Sequence, residues 1–349
     1  MKQYLAFDFG AESGRAIIGT LKDEKLELKE IHRFPTGMLH FQNHYYWNIF
    51  RLYEEMKNAL KLCTSEGYKP ECMALDTWGV DFGFVAEDGT ILGIPYAYRD
   101  PHTNTAMEEL LRVIPREDLY KLTGIQFLQF NSIFQLFALK RDGSSLLKAA
   151  KELLFIPDLF NYLFTGIKKT EFSFATTSQL YNPSKNNWEE SIFQKLDIPL
   201  SLMQEIIMPG TVIGSLDEDV CKETGIDRIP VIAVASHDTG SAVAAVPAEG
   251  KNWAYISSGT WSLMGIETEN PIISDKTLEL NFTNEGGVNG TFRFLKNIMG
   301  LWLIQQSKKV WDSEGQETDY SEIVRHARNA PAFQSFIDPD RQEFLNPEN

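Results

Sequence analysis

Three strand-like runs ahead of the first helix constrain this chain most. "QYLAFDFG", "RAIIGTL" and "KLELKEIHRF" follow one another with only short polar or glycine-bearing turns between them, "KDEK" separating the second from the third. From Asn48 to about Glu66, Ile49, Leu52, Met56, Leu60 and Cys63 recur at helical spacing, and Gly67 is a good stop. "ECMALDT" then reads as a short buried strand, and "FGFVAEDGTIL" as a hairpin turning at Asp88-Gly89. Three antiparallel strands, a helix and a further strand make a mixed α/β layout, with Asp8 and glycines at its first turn.

Length divides the rest. At 349 residues the chain exceeds one ordinary core, so two domains are expected, 1–228 and 229–349, with the boundary between 229 and 250. Residues 100–228 are mostly helical in pattern ("PREDLYKLTG", "FNSIFQLFALKRD", "AKELLFIPDLFNYLFTG") and read as an insertion into the first domain. "SFATTSQLYNPSKNNW" within them is hydroxyl-rich and turn-prone. "DRIPVIAVAS" restarts with a buried strand. "WAYISSGTWSLMGIE" reads as strand, tight turn, strand, and "FRFLKNIMGLWLIQQSKKVW" as a strand leading into a long helix.

A net charge of −15 argues against a nucleic-acid partner, whose phosphates are met by Lys and Arg. No stretch reaches the roughly 18–20 apolar residues of a membrane span, and "MKQYLAFDFGAESG" lacks the pattern of a signal peptide, so a cytoplasmic protein with a small-molecule substrate is expected. Cys63, Cys72 and Cys221 show no metal-ligand spacing and read as reduced thiols, although Cys63 and Cys221 could meet across the fold.

Chemistry concentrates in a few short runs. "AFDFGAESGRA" carries Asp8, Gly10, Ser13, Gly14 and Arg15: a tight turn can face phosphate oxygens, and a nearby carboxylate can hold Mg²⁺. An ordinary hairpin with a surface Asp fits the same residues equally well. "SSGTWS" offers a second loop of small hydroxyl residues, and two such loops suit a nucleotide better than either does alone. "DTWGVDFGFV" places Trp78, Gly79 and Asp81 where a polyol could pack on a ring and bond to a carboxylate. A core tryptophan in a turn is the bland alternative, as a surface ion pair is for Arg99 and Asp100. "VIAVASHDTGSAVAA" delivers His237, Asp238 and Thr239 to a strand end, where open α/β proteins keep their chemistry. Asp238 suits a general base for phosphoryl transfer and equally an N-cap for the helix that follows.

Taken in order, "DFGAESGR", "IHRF", "DTWGVDF", "YRD", "GIQFLQFN", "ATTSQL", "VASHDTGSAV", "SSGTWSLMG", "NEGG" and "KNIMGLW" resemble the FGGY carbohydrate kinases of the actin-like ATPase superfamily, from the first strand to the last residues. The resemblance implies a two-lobed α/β, ribonuclease H-like fold with mixed sheets, and ATP-dependent phosphorylation of the C1 hydroxyl of L-rhamnulose. By the same likeness Asp238 is the proton acceptor. His237, Asp238, Thr239, Gly79 and Asn297 contact the sugar, and Ala11, Glu12, Ser13, Gly14, Arg15, Thr260 and Gln305 contact ATP. Asp8 lies on the Mg²⁺ side. Another sugar kinase of the family is the nearest alternative. The family pattern continues beyond "FLNPEN" into a "GGG" loop that holds adenosine, and this sequence has no such loop. The second lobe is therefore expected to be incomplete, with ATP gripped by its phosphates or with a sugar-binding fragment whose kinase activity is impaired.

Overall fold

The first strands do pair as a meander. In the computed structural model, which describes residues 1–250, 252–316, 318–339, 341 and 344, β1 (Lys2–Phe9) pairs antiparallel with β2 (Ser13–Lys22) and β2 with β3 (Lys25–Pro35). α1 (Ile49–Ser65) starts at Asn48, whose side chain accepts from Arg51 N, and carries the chain back so that Met73–Thr77 lies parallel to β1. Pro230–Ile232 lies parallel to Met73–Thr77 in this sheet and antiparallel to Val212–Ser215 on its other side. Three antiparallel strands with two more parallel to the first are the arrangement expected of a ribonuclease H-like sheet. Its inward residues, including Leu5, Phe7, Phe9, Leu75 and Val231, bury against Leu52, Met56 and Leu60 of α1 and against Phe160 and Phe164.

A compact unit comprises Met1–Pro247 with Glu267–Phe294, and a second Ala248–Ile266 with Leu295–Asn349. Inside the first, a separate apolar cluster gathers Phe82, Phe84, Leu110, Phe134, Leu153, Phe155 and Phe174. Two expectations fail there. "ELLF" reads as helix, yet Glu152–Phe155 is a strand paired with Phe82–Val85, and Pro157 in the next first turn starts the helix Ile156–Thr165 only after it. The hydroxyl-rich stretch read as turn-prone contains a buried helix, Phe172–Thr177. Its hydroxyls bond back to the chain, Thr176 Oγ1 to Ser173 O at 2.8 Å and Thr177 Oγ1 to Phe174 O at 2.8 Å, so they carry no desolvation penalty.

In the second unit, Tyr255–Ser258 and Trp261–Thr268 pair antiparallel around the tight turn expected there, and Phe292–Met299 leads to the helix Trp302–Ser313. The residues on which an incomplete second lobe would show, at the chain's end, lie outside the described ones apart from Arg341 and Phe344. All three cysteines are free, Cys63 and Cys221 included. No described helix is long and apolar enough to cross a membrane.

Candidate active site

Three parallel strands of the first unit lie side by side, and each has a carboxylate close to or beyond its C-terminal end. Asp8 and Asp76 occupy the same register on β1 and Met73–Thr77. The segment after Pro230–Ile232 continues alongside, Thr77 N donating to Ser236 O at 2.9 Å and Thr77 bridging His237, so Asp238 comes next at the same edge. The carboxyl end of parallel strands is where such sheets bind ligands, because connections diverge there and leave a crevice. Burial, then the charges of Asp8 and Asp238, hold the Asp76 carboxyl well above the usual range. Asp76 was quoted in the sequence without a role; only the register shows that it stands between the other two.

Asp238 keeps 40% of its side chain accessible while protein crowds its other sides. Burial raises its pKa, opposed by His237 and by Thr239, whose N–H donates to Oδ1 at 2.6 Å. It is the first residue of the helix Asp238–Ala244, whose N-cap is His237; the N-cap alternative for Asp238 is thereby corrected. His237 Nε2 lies 3.4 Å from Asp238 Oδ1. Gly79 abuts the same ring: a Cβ there would stand 3.2 Å from Nε2.

Behind this edge lies Glu171, fully buried. Its carboxylate accepts from Ser236 N at 2.9 Å and Oγ at 2.7 Å, and from Ser173 N at 2.8 Å and Oγ at 2.5 Å; Ser173 Oγ in turn accepts from His237 N at 3.3 Å. One carboxylate thus ties the helix Phe172–Thr177 to the segment that presents His237 and Asp238. Sequence reading missed it; the only signal was a lone Glu in "TEFSF", where a buried run should be apolar.

Two sugar-contact expectations are corrected. Trp78 is almost fully buried, packed at a tilt against Trp47 with ring centroids 4.0 Å apart, and offers no open face. Asp81 is completely buried: Oδ2 accepts from Trp47 Nε1 at 2.6 Å, Trp78 Nε1 at 3.0 Å and Tyr98 N at 3.1 Å, and Oδ1 from Gln135 Nε2 at 2.8 Å. Its role is to hold a strained turn. Asp81 N donates to Gly79 O at 3.0 Å around Val80, whose φ of +69° is costly for a β-branched residue, by about 1–3 kcal/mol. Ser132 Oγ pins the Val80 carbonyl at 2.5 Å. Gly79 therefore reaches His237 because a buried clamp holds the turn.

Burial lifts Asp81 to about 7 despite its donors. The unfolded carboxyl titrates near 4, so the folded chain binds more protons between those values. This group's stabilising contribution is full below about pH 4 and lost as the pH rises to 7. Asp81→Asn should remove that part of the slope of unfolding free energy against pH, as read by urea titrations from pH 4.5 to 7.5.

Asp100, for which a surface ion pair was the bland reading, is buried too. Burial opposes its charge, but His102, Tyr45 N and His44 bond to it and bring it down to about 2.

The turn from β1 to β2 holds the nucleotide candidates of this unit. Gly10 N donates to Ser13 O at 3.0 Å, and Glu12 O accepts from Thr36 N at 3.1 Å. Ala11 and Ser13 are half-buried, Glu12 and Arg15 exposed. Arg15 Nε donates to Asp8 Oδ2 at 2.8 Å. Gly14 has a packing reason as well, since a Cβ would fall 2.4 Å from the Phe34 ring. In the second unit Thr260 Oγ1 meets Gln305 Oε1 at 3.5 Å, bringing those two candidates together. Gly300 lets the start of the helix Trp302–Ser313 approach the turn, because a Cβ would lie 2.8 Å from Gly259 O. Asn297 is half-buried on Phe292–Met299. Among the described residues no three His, Cys, Asp or Glu side chains are placed to hold a metal by themselves. The acidic edge fits a divalent ion that brings phosphate and water ligands with it, as Mg²⁺ does.

The N-terminal domain model of the FGGY family of carbohydrate kinases matches residues 3–245, and the family's C-terminal domain model matches 254–349. A rhamnulokinase of Bacteroides thetaiotaomicron is 47% identical over 99% of this chain and 71% of its own length. One of Oceanobacillus iheyensis is 44% identical over 99% and 72%. Among solved structures, a ligand-bound xylulose kinase of Lactobacillus acidophilus superposes with a TM-score of 0.82 at 14% identity, over 95% of this chain and 66% of that one; at such identity the likeness is one of fold.

Proposed function

Because the chain belongs to the FGGY family of carbohydrate kinases, we propose that it transfers the γ-phosphoryl group of ATP to the C1 hydroxyl of L-rhamnulose, with Asp238 as the base. The observation that carries the reading is likeness to rhamnulokinases along nearly the whole chain. The accessible carboxylate of Asp238, at the strand edge beside His237, supports the role of base. As the hydroxyl oxygen bonds to phosphorus and the bond to the bridging oxygen of ADP breaks, Asp238 takes the hydroxyl proton. Mg²⁺ would be held by ATP oxygens, water and the Asp8 side of the edge, neutralising phosphate charge. Ala11 to Arg15, Thr260 and Gln305 contact the nucleotide, and Gly79, His237, Thr239 and Asn297 the sugar. The protein works in the cytoplasm, on small molecules.

Coupled ADP release with ATP and Mg²⁺ tests this across L-rhamnulose, xylulose, gluconate and glycerol. Turnover highest by kcat/KM on L-rhamnulose is expected; preference for another of the four would replace the substrate while keeping the chemistry. Gly79→Ala would push the His237 ring by tenths of an ångström. It should raise the sugar KM about 3- to 10-fold with little change in the ATP KM, since small misplacements at a site weaken binding steeply.

A further inference from the structure

We infer that Arg293 is a positioning residue that fixes His237 in the tautomer whose Nε2 carries the proton; the inference rests on the kinase reading for its consequence, though not for its geometry. Arg293 is fully buried, its Nε donating to Gly286 O at 3.0 Å and its Nη2 lying 3.2 Å from His237 Nδ1. Glu285 Oε2 stands 3.2 Å from both Arg293 Nη2 and His237 Nδ1. A guanidinium has donors and no acceptor, so its contact with Nδ1 makes that nitrogen the acceptor. The ring proton is thereby assigned to Nε2, which faces Asp238 Oδ1 at 3.4 Å. Glu285 Oε2 makes no hydrogen bond to Nδ1, and the guanidinium beside it opposes the rise that burial alone would give its carboxyl.

The consequence is recognition of a hydroxyl. A hydroxyl accepts one bond and donates another, and the edge then presents one donor, His237 Nε2–H, beside one acceptor, the Asp238 carboxylate. With the proton on Nδ1 the sugar would meet two acceptors and could satisfy only one. The residues that decide this, Glu285 of "NEGG" and Arg293 of "TFRF", come from two strands, Thr283–Gly286 and Phe292–Met299, far from His237 in the chain.

The first test is ¹⁵N NMR of histidine-labelled chain without sugar or nucleotide. His237 should show a protonated Nε2 and a bare Nδ1. The opposite tautomer, or a doubly protonated ring, overturns the inference whatever the kinase assay gives. In Arg293→Met the ring should turn its proton to Nδ1, toward Glu285. The calorimetric Kd for L-rhamnulose should then rise about 10-fold or more, while kcat at saturating sugar falls less. A folded Arg293→Met with the original tautomer and unchanged Kd overturns it. Should that variant not fold, His237→Gln and His237→Asn decide, since the Gln amide reaches the place of Nε2 and that of Asn the place of Nδ1. Gln should keep sugar affinity within a few-fold and Asn lose it; equal losses overturn the assignment. Failure of wild-type chain to bind L-rhamnulose would count against the substrate alone.

Discussion

Asp238→Asn lowers kcat for sugar-dependent ADP release by about 10²- to 10⁴-fold, the range that a positioned proton acceptor supplies, and leaves the calorimetric Kd for the sugar within a few-fold. The amide keeps the size of the carboxylate and can still accept from Thr239 N, which donates to Oδ1 at 2.6 Å. What it cannot do is take a proton. The pH profile carries a second signature. Burial raises Asp238 above the ordinary carboxylate range, so the base is protonated, and the rate lost, at a higher pH than for a surface Asp. The acid limb of kcat/KM should sit higher than an ordinary Asp would place it and disappear in the variant. Near-normal turnover in Asp238→Asn would remove it from the reaction and turn attention to Asp76 and Asp8, its neighbours at the strand ends.

Glu171→Leu should cost about 3–5 kcal/mol of stability, because it strips several buried donors of their shared acceptor. The lost carboxylate leaves Ser236 N, Ser173 N and two hydroxyls without their acceptor inside the core, and each orphaned buried donor costs about 1–3 kcal/mol. Burial raises Glu171 itself and, together with the Glu171 charge, raises Asp158 well above the usual range. Of the two, Glu171 faces the converging donors. Urea unfolding followed by tryptophan fluorescence reads the loss, since Trp47 and Trp78, packed together in the core, report on the first unit. A change below about 1 kcal/mol would mean that water replaces the carboxylate and that Ser236 to Asp238 do not depend on this anchor.

Much of the frame was legible because it is local. Alternation in the first three runs, the spacing of Ile49, Leu52, Met56 and Leu60, and the Asp88-Gly89 turn each report a structure that their own residues impose. The failures share a cause. "ELLF" became a strand because Phe82–Val85 was there to pair with it, and the hydroxyls of Phe172–Thr177 entered the core because each found a nearby carbonyl. The strand partner is distant in sequence, and the carbonyls three residues back come within reach only once the segment is helical, so in neither case does the segment's pattern show the bond.

The candidate site divides along the same line. By itself the sequence determined the succession of the first strands and helix along the chain, the family pattern and the presence of His237, Asp238 and Thr239 just after a strand, since these follow from short-range pattern and chain order. Tertiary structure alone decided that Asp76 stands in register with Asp8, that Trp78 and Asp81 are clamps behind a strained turn instead of sugar contacts, and that Glu171, Glu285 and Arg293 hold the edge from behind. A buried charge is tolerable only where distant segments bring its partners together, and that meeting is a property of the fold.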